Sequence, residues 1–311
     1  MTRCRLVLLG LLGASACLTL DPFFFGNEPV DEYRWDDDPC DPQLLGELVE
    51  AEHRLHDGPA PACHPSRVPP QDRHEGFVSL ADGRRIHYVF AHRDDALATI
   101  VYSHGTGRHI GRYWDRVERM WSLGFHVLIY DYPGYGRSEG EPDEAGVFAS
   151  ATAVVEEVLP QMPDVDLERV FLYGYSLGGA PTYELAWRAS EGELSVMPRG
   201  VVSESAFCST EALVQDGARL DLPGEFVSHN PFDNCAKIGR LDPELPVLIL
   251  HGTRDDFIVP VHAKMLEDAA VGDDVTLRWV TGADHSEIPV VAGDDYETLL
   301  RDFVTAHLPA P

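Results

Sequence analysis

From about Gly76 onward the chain alternates two hydrophobic rhythms. Short runs rich in β-branched and aromatic residues occur at Arg85–Phe90, Thr99–Ser103, Phe125–Tyr130, Val170–Tyr173, Gly200–Ser203, Val247–Leu250 and Val275–Val280. Between and after them lie longer stretches with apolar residues at helical spacing: Tyr113–Leu123, Val147–Leu159, Leu177–Arg188, His262–Ala270 and Tyr296–His307. Buried strands alternating with helices predict βαβ units, hence an α/β fold with a mostly parallel sheet covered on both faces. Such sheets place their sites beyond the carboxyl ends of the strands. No internal repeat breaks the pattern.

The first 75 residues read differently. Arg3 and Arg5 precede the apolar run Leu6–Leu12, which is too short to span a bilayer as a mature helix, and small residues Ala14, Ser15 and Ala16 follow. This is the pattern of an export signal covering residues 1–16. Two outcomes compete: plain cleavage after Ala16, or a bacterial lipoprotein signal, which the run Leu12–Cys17 resembles and which would leave Cys17 lipidated and membrane-attached. Ala14 stands where lipoprotein signals prefer leucine. Residues 17–75 form an acidic, proline-rich arm or linker, with Asp36-Asp37-Asp38-Pro39 and Pro59-Ala60-Pro61 as examples and one short helix expected at Leu44–Leu55. The remainder, residues 76–311, is expected to be one domain, and an exported, periplasmic, secreted or envelope-anchored location follows from the signal.

Composition narrows the partners. The 311 residues hold 24 basic and 52 acidic side chains, a net charge of −28. Nucleic acid demands a basic face, so nucleic-acid binding is excluded, and polybasic attraction to anionic lipid is disfavoured. Of six cysteines, Cys4 leaves with the signal and Cys17 is the lipidation candidate. The remaining four, Cys40, Cys63, Cys208 and Cys235, allow three disulfide pairings in an oxidising compartment, and proximity favours Cys40–Cys63 with Cys208–Cys235. None has CxxC spacing, so no metal site and no cofactor is expected.

The strongest chemical signal is Gly174-Tyr175-Ser176-Leu177-Gly178-Gly179, between the strand Val170–Tyr173 and a helical stretch. In that context Gly-x-Ser-x-Gly is a nucleophile elbow. A serine hydroxyl needs a histidine to take its proton and an acid to orient that histidine, both later in the chain. Val247–Leu250 leads into His251-Gly252-Thr253-Arg254-Asp255-Asp256, and Val275–Val280 leads into Gly282-Ala283-Asp284-His285. Asp256 and Glu204 are competing candidates for the acid. Asp284 reads as a loop charge, and His104 and His251 read as hydrogen-bonded structural histidines.

Together with Ser103-His104-Gly105-Thr106-Gly107 and Asp131-Tyr132-Pro133-Gly134-Tyr135-Gly136-Arg137-Ser138, these blocks make residues 76–308 resemble the α/β-hydrolase family. The resemblance is nearest to its small-capped serine aminopeptidase-like and acyl-thioesterase-like groups. It implies Ser176 as nucleophile, His285 as general base and then acid, and Asp255 as orienting carboxylate, with the backbone amides of Thr106 and Leu177 as oxyanion donors. It makes the Asp131–Ser138 loop mainly structural, with Tyr135 and Arg137 as candidates to border the site. It also implies a cap inserted at about 205–240, where Phe207, Leu213, Leu220, Leu222, Phe226 and Phe232 alternate with polar residues. A Cys208–Cys235 bridge would pin that cap at its base. The expected function is a serine esterase or thioesterase acting on a small-molecule or lipid-like acyl substrate. An aminopeptidase of the same fold and a non-catalytic α/β-hydrolase-like binding protein are the alternatives.

Overall fold

A computed structural model describes residues 24–33, 35, 66–218 and 230–310. The expected signal segment, Cys17, Cys40, Cys63, the helix expected at Leu44–Leu55 and part of the expected cap lie outside those residues. In chain order the strands are β1 (Gly26–Asn27), β2 (Arg73–Ser79), β3 (Arg85–Ala91), β4 (Ala98–Ser103), β5 (Gly107–Arg108), β6 (Phe125–Tyr130), β7 (Val170–Tyr175), β8 (Val201–Glu204), β9 (Val247–Gly252) and β10 (Val275–Val280). The α-helices are α1 (Trp114–Ser122), α2 (Glu144–Ala153), α3 (Gly179–Ser190), α4 (Thr210–Ala218), α5 (Asn234–Ile238), α6 (Val261–Ala269), α7 (Ile288–Val291) and α8 (Asp294–Ala306).

Eight strands form one sheet in the order β10-β9-β8-β7-β4-β6-β3-β2. β3 runs antiparallel to both its neighbours, and the other pairings are parallel. Period-two alternation sorts each strand's side chains between two buried layers. Val101, Leu128, Leu172 and Ile249 enter one layer, beneath α2, α3, α5 and α6. Tyr102, Ile129, Tyr173 and Leu250 enter the other, beneath α1 and α8. The strands therefore read as continuous apolar runs, because neither face meets water.

Helix ends follow local chemistry. Asp143 caps α2 by accepting from the Gly146 amide at 2.7 Å, and Asp233 caps α5 by accepting from the Ala236 amide at 2.9 Å. The stretch expected as one helix over Val147–Leu159 instead runs as α2, a π turn at Val154–Val158 and a 3-10 turn at Leu159–Gln161. Pro160 lacks the amide that would continue it.

The arm differs from the expected spacer. The sheet begins at Arg73, inside the segment expected to be linker; the strand's polar Arg73, His74 and Glu75 sit on a sheet edge, so they carry no apolar alternation. Farther upstream, β1 pairs in parallel with β5. Trp35 stacks on Tyr33 at 4.7 Å between ring centroids and lies 4.3 Å from Trp114. In the segment expected to form a cap, Cys208 and Cys235 are joined as a disulfide with Cα atoms 4.9 Å apart. No helix among the described residues is long and apolar enough to cross a membrane.

Candidate active site

The site assembles at the carboxyl ends of β4, β7, β8, β9 and β10. β7 ends at Tyr175 and turns at once through Ser176–Gly178 into α3. Ser176 holds φ = 53°, a left-handed conformation that non-glycine residues rarely adopt. The crowding explains the flanking glycines. A Cβ on Gly174 would stand 2.3 Å from the Gly178 carbonyl oxygen, and one on Gly178 would stand 1.9 Å from that of Ser103. The turn thus lifts the Ser176 hydroxyl while pressing its neighbours against main chain. It also sets Ser176 and Leu177 in the first turn of a helix, whose amides have no intrahelical acceptor and favour negative charge.

His285 reaches this hydroxyl from the loop after β10. Its Nε2 lies 3.0 Å from Ser176 Oγ, and its Nδ1 lies 2.8 Å from Asp255 Oδ2. All three side chains are buried. Asp255 sits on the turn after β9, where Oδ1 accepts from the amides of Phe257 and Ile258 at 3.1 and 2.8 Å. Burial pushes the Asp255 carboxyl up, but hydrogen bonds from His251 and His285, the electrostatic attraction of the His285 ring and the Ile258 amide together hold it well below the usual carboxylate range. The group therefore stays ionised beside His285.

The competing acids lie elsewhere. Asp256 is exposed. Asp284 Oδ1 accepts from the His285 amide at 2.7 Å. Glu204 is fully buried and paired with Arg116 at 2.7 Å, while its other oxygen accepts from the Tyr173 hydroxyl. The two structural histidines behave as expected: His251 Nε2 donates to the Ile258 carbonyl and His104 Nδ1 to that of Gly105, each at 2.7 Å. Of the two residues expected near the site from the Asp131 loop, Tyr135 donates to the Thr106 carbonyl at 3.0 Å. Arg137 turns away to Glu75 and His87.

A cleft over Ser176 and His285 is bordered by Thr106 and Gly107, by Arg112, Tyr113 and Arg116, and by Phe257, Pro289 and Val290. Part of this lining is polar and part, at Phe257, Pro289 and Val290, apolar. Phe257 and Val290 are about half exposed, at 50% and 49%. Arg116 was not foreseen from sequence. In Trp114–Ser122 it reads as one more charge on an amphipathic helix, yet it is buried, lies over the Tyr175 ring at 4.2 Å, and donates to the Ser286 carbonyl at 3.3 Å, next to His285. Burial works against its charge, and the Glu204 carboxylate together with neighbouring groups, Asp115 among them, more than offsets this. Among the described residues no group of three or more His, Cys, Asp or Glu side chains is arranged to hold a metal.

Comparison with known proteins agrees with this architecture. Residues 94–226 match the family model described as serine aminopeptidase, S33. The chain is 26% identical over 216 residues to the protein YfhR of Escherichia coli K12, covering 69% of this chain and 72% of that one. It is 30% identical over 212 residues to the α/β hydrolase domain-containing protein aho-3 of Caenorhabditis elegans, covering 66% of this chain and 57% of the relative. Among solved structures, an esterase of Pyrococcus furiosus superposes with a TM-score of 0.62 at 17% identity, over 78% of this chain and 96% of that one. A soluble variant of the monoglyceride lipase of Saccharomyces cerevisiae superposes with a TM-score of 0.61 at 16% identity, over 81% and 100%. The chain has the α/β-hydrolase fold and is similar in sequence to proteins of that family.

Proposed function

We propose that this protein is a serine hydrolase that cleaves carboxylic esters or thioesters through an acyl-enzyme. The observation that carries the reading is the continuous contact from Ser176 Oγ through the two ring nitrogens of His285 to the buried Asp255 carboxylate. With its Nδ1 proton donated to Asp255, His285 presents a free Nε2 lone pair to the serine hydroxyl. Ser176 then attacks the acyl carbonyl as Nε2 takes its proton. The resulting oxyanion is met by the amides of Leu177 and Thr106, each worth about 3–4 kcal/mol in the transition state. His285 next protonates the departing alkoxide or thiolate, and water, activated by the same ring, releases the acid.

The apolar lining of Phe257, Pro289 and Val290 suits an acyl chain, and the esterase and lipase neighbours share the fold in which such chemistry runs. An aminopeptidase is the second reading, favoured by the family match and by Asp115, an exposed carboxylate in the polar part of the lining able to receive a free amine. Export, with or without lipid on Cys17, is proposed from the N-terminal pattern and agrees with the Cys208–Cys235 disulfide. A fluorophosphonate probe should label the folded wild type and not Ser176→Ala. Turnover of p-nitrophenyl esters, acyl thioesters and aminoacyl anilides then separates the two readings. A folded wild type that stays unlabelled overturns both.

A further inference from the structure

The oxyanion loop at Thr106 is not held by the sheet alone. On one side of Thr106, the Gly105 carbonyl accepts from His104 Nδ1 at 2.7 Å. Because the peptide is planar and trans, that bond turns the Thr106 N–H the opposite way. On the other side, the Thr106 carbonyl accepts from the Gly26 amide and the Tyr135 hydroxyl, both at 3.0 Å. The Thr106 hydroxyl donates to the Phe24 carbonyl. Two residues farther, the Glu28 amide donates to the Arg108 carbonyl at 3.1 Å, and Arg108 itself has a left-handed φ of 56°.

The same N-terminal segment also grips the second loop that supports this region. The Glu28 carbonyl accepts from the Gly136 amide at 3.0 Å, the Val30 amide donates to the Gly136 carbonyl at 2.9 Å, and Asn27 Nδ2 donates to the Gly134 carbonyl at 2.9 Å. Tyr33 then closes the circuit. Its hydroxyl donates to Asp131 Oδ2, whose other oxygen accepts from the Ile110 amide at 2.9 Å and lies 3.5 Å from His104 Nε2. Asp131 is fully buried, and the tyrosine proton is tightly held, because burial and the adjoining carboxylate both push its pKa up.

The geometry points to residues Phe24–Tyr33 as a clamp on the oxyanion loop, with Gly26 and Tyr33 as positioning residues that aim the Thr106 amide at the carbonyl attacked by Ser176. This rests on the acyl-transfer reading above. The arm is then part of the catalytic machinery rather than a spacer. It acts on transition-state stabilisation and leaves ground-state binding alone. No bond within it touches substrate.

Two variants of the full chain test this: Tyr33→Phe, which keeps the ring and loses the donor to Asp131, and Gly26→Pro, which removes the amide donated to Thr106. Each is measured for kcat and KM on p-nitrophenyl butyrate, for inhibition by an alkyl trifluoromethyl ketone, and for melting. The ketone adds Ser176 and places an oxyanion where the amides point, so its affinity reports the loop's aim. The expected result is kcat and ketone affinity falling in parallel by about tenfold, since small misplacements of reacting groups are costly, with KM little changed and the melting temperature lowered but still well above the assay temperature. Wild-type kcat and ketone affinity in Tyr33→Phe overturn the clamp. So does a kcat loss that vanishes once activity is normalised to fluorophosphonate-titrated folded sites. If Gly26→Pro does not fold, Tyr33→Phe decides alone. Absence of probe labelling in the wild type would instead strike the hydrolase reading itself.

Discussion

Replacing Arg116 with methionine strips the counter-charge from a carboxylate that has no access to solvent. Glu204 is 0% exposed and Arg116 7%, their closest atoms are 2.7 Å apart, and the Tyr173 hydroxyl is the other polar partner of Glu204. At an effective dielectric near 20, two unit charges about 4 Å apart attract by about 4 kcal/mol. Removing one partner of a buried pair typically costs about 3–5 kcal/mol, because the survivor stays desolvated. For a domain of this size each kcal/mol moves the melting temperature by roughly 2–4 °C, so Arg116→Met should melt some 6–20 °C lower. The double variant Arg116→Met/Glu204→Met should recover most of that loss, since two apolar side chains can replace an ion pair at little cost. Urea unfolding followed by far-ultraviolet circular dichroism on wild type, both singles and the double gives the coupling energy directly. A loss below about 1 kcal/mol in Arg116→Met, or a double variant no better than the sum of the singles, refutes the argument that this pair stands or falls together.

Three further outcomes follow from the same geometry. Asp255→Asn should lower kcat by about 10⁴ with KM nearly constant, since an amide holds the wrong histidine tautomer, and steady-state kinetics on an ester checks it. His126 accepts from the Arg93 amide at 3.1 Å, and burial pushes its pKa from 6.5 down to about 4. The unfolded chain takes up that proton first, so stability is full above pH 6.5 and declines by about 3 kcal/mol towards pH 4; His126→Gln should flatten this decline in urea titrations, and an unchanged slope would clear His126 of the effect. Finally, Cys208→Ser/Cys235→Ser should cost about 3 kcal/mol by freeing the unfolded chain, and peptide mapping of the wild type should find both cysteines bridged.

The strand–helix alternation is readable from sequence because every central strand is buried on both faces, which forces continuous apolar runs such as Val247–Leu250. Ser176 and Asp255 are readable because each follows such a run, His285 because it follows the last strand, Val275–Val280, and the sheet brings strand ends together. Other features escape for identifiable reasons. The edge strand at Arg73 is polar, so its first residues look like linker. Arg116 is charged on a helix whose solvent face it ought to occupy, and only the buried Glu204 explains its position. The arm is acidic and proline-rich, and its attachment is made largely by main-chain amides, which leave no trace in side-chain pattern. Tyr33 is the exception: an aromatic next to acidic residues was available as a signal, although its partner Asp131 lies far along the chain.

The expected cap has an engineering consequence. Its two ends, Cys208 and Cys235, are separated by 27 positions in sequence but by 4.9 Å between Cα atoms. The stretch between them therefore begins and ends at one place, where a covalent bond joins its ends. Foreign segments of other lengths should be exchangeable within this stretch provided that its buried Thr210, Asn230 and Phe232 are kept. Substrate preference would then behave as a replaceable cartridge on a fixed catalytic frame. A cap chimera that labels with fluorophosphonate at the parental rate while its ester-length preference changes would establish this modularity, and one that loses labelling would show that cap and frame are a single unit.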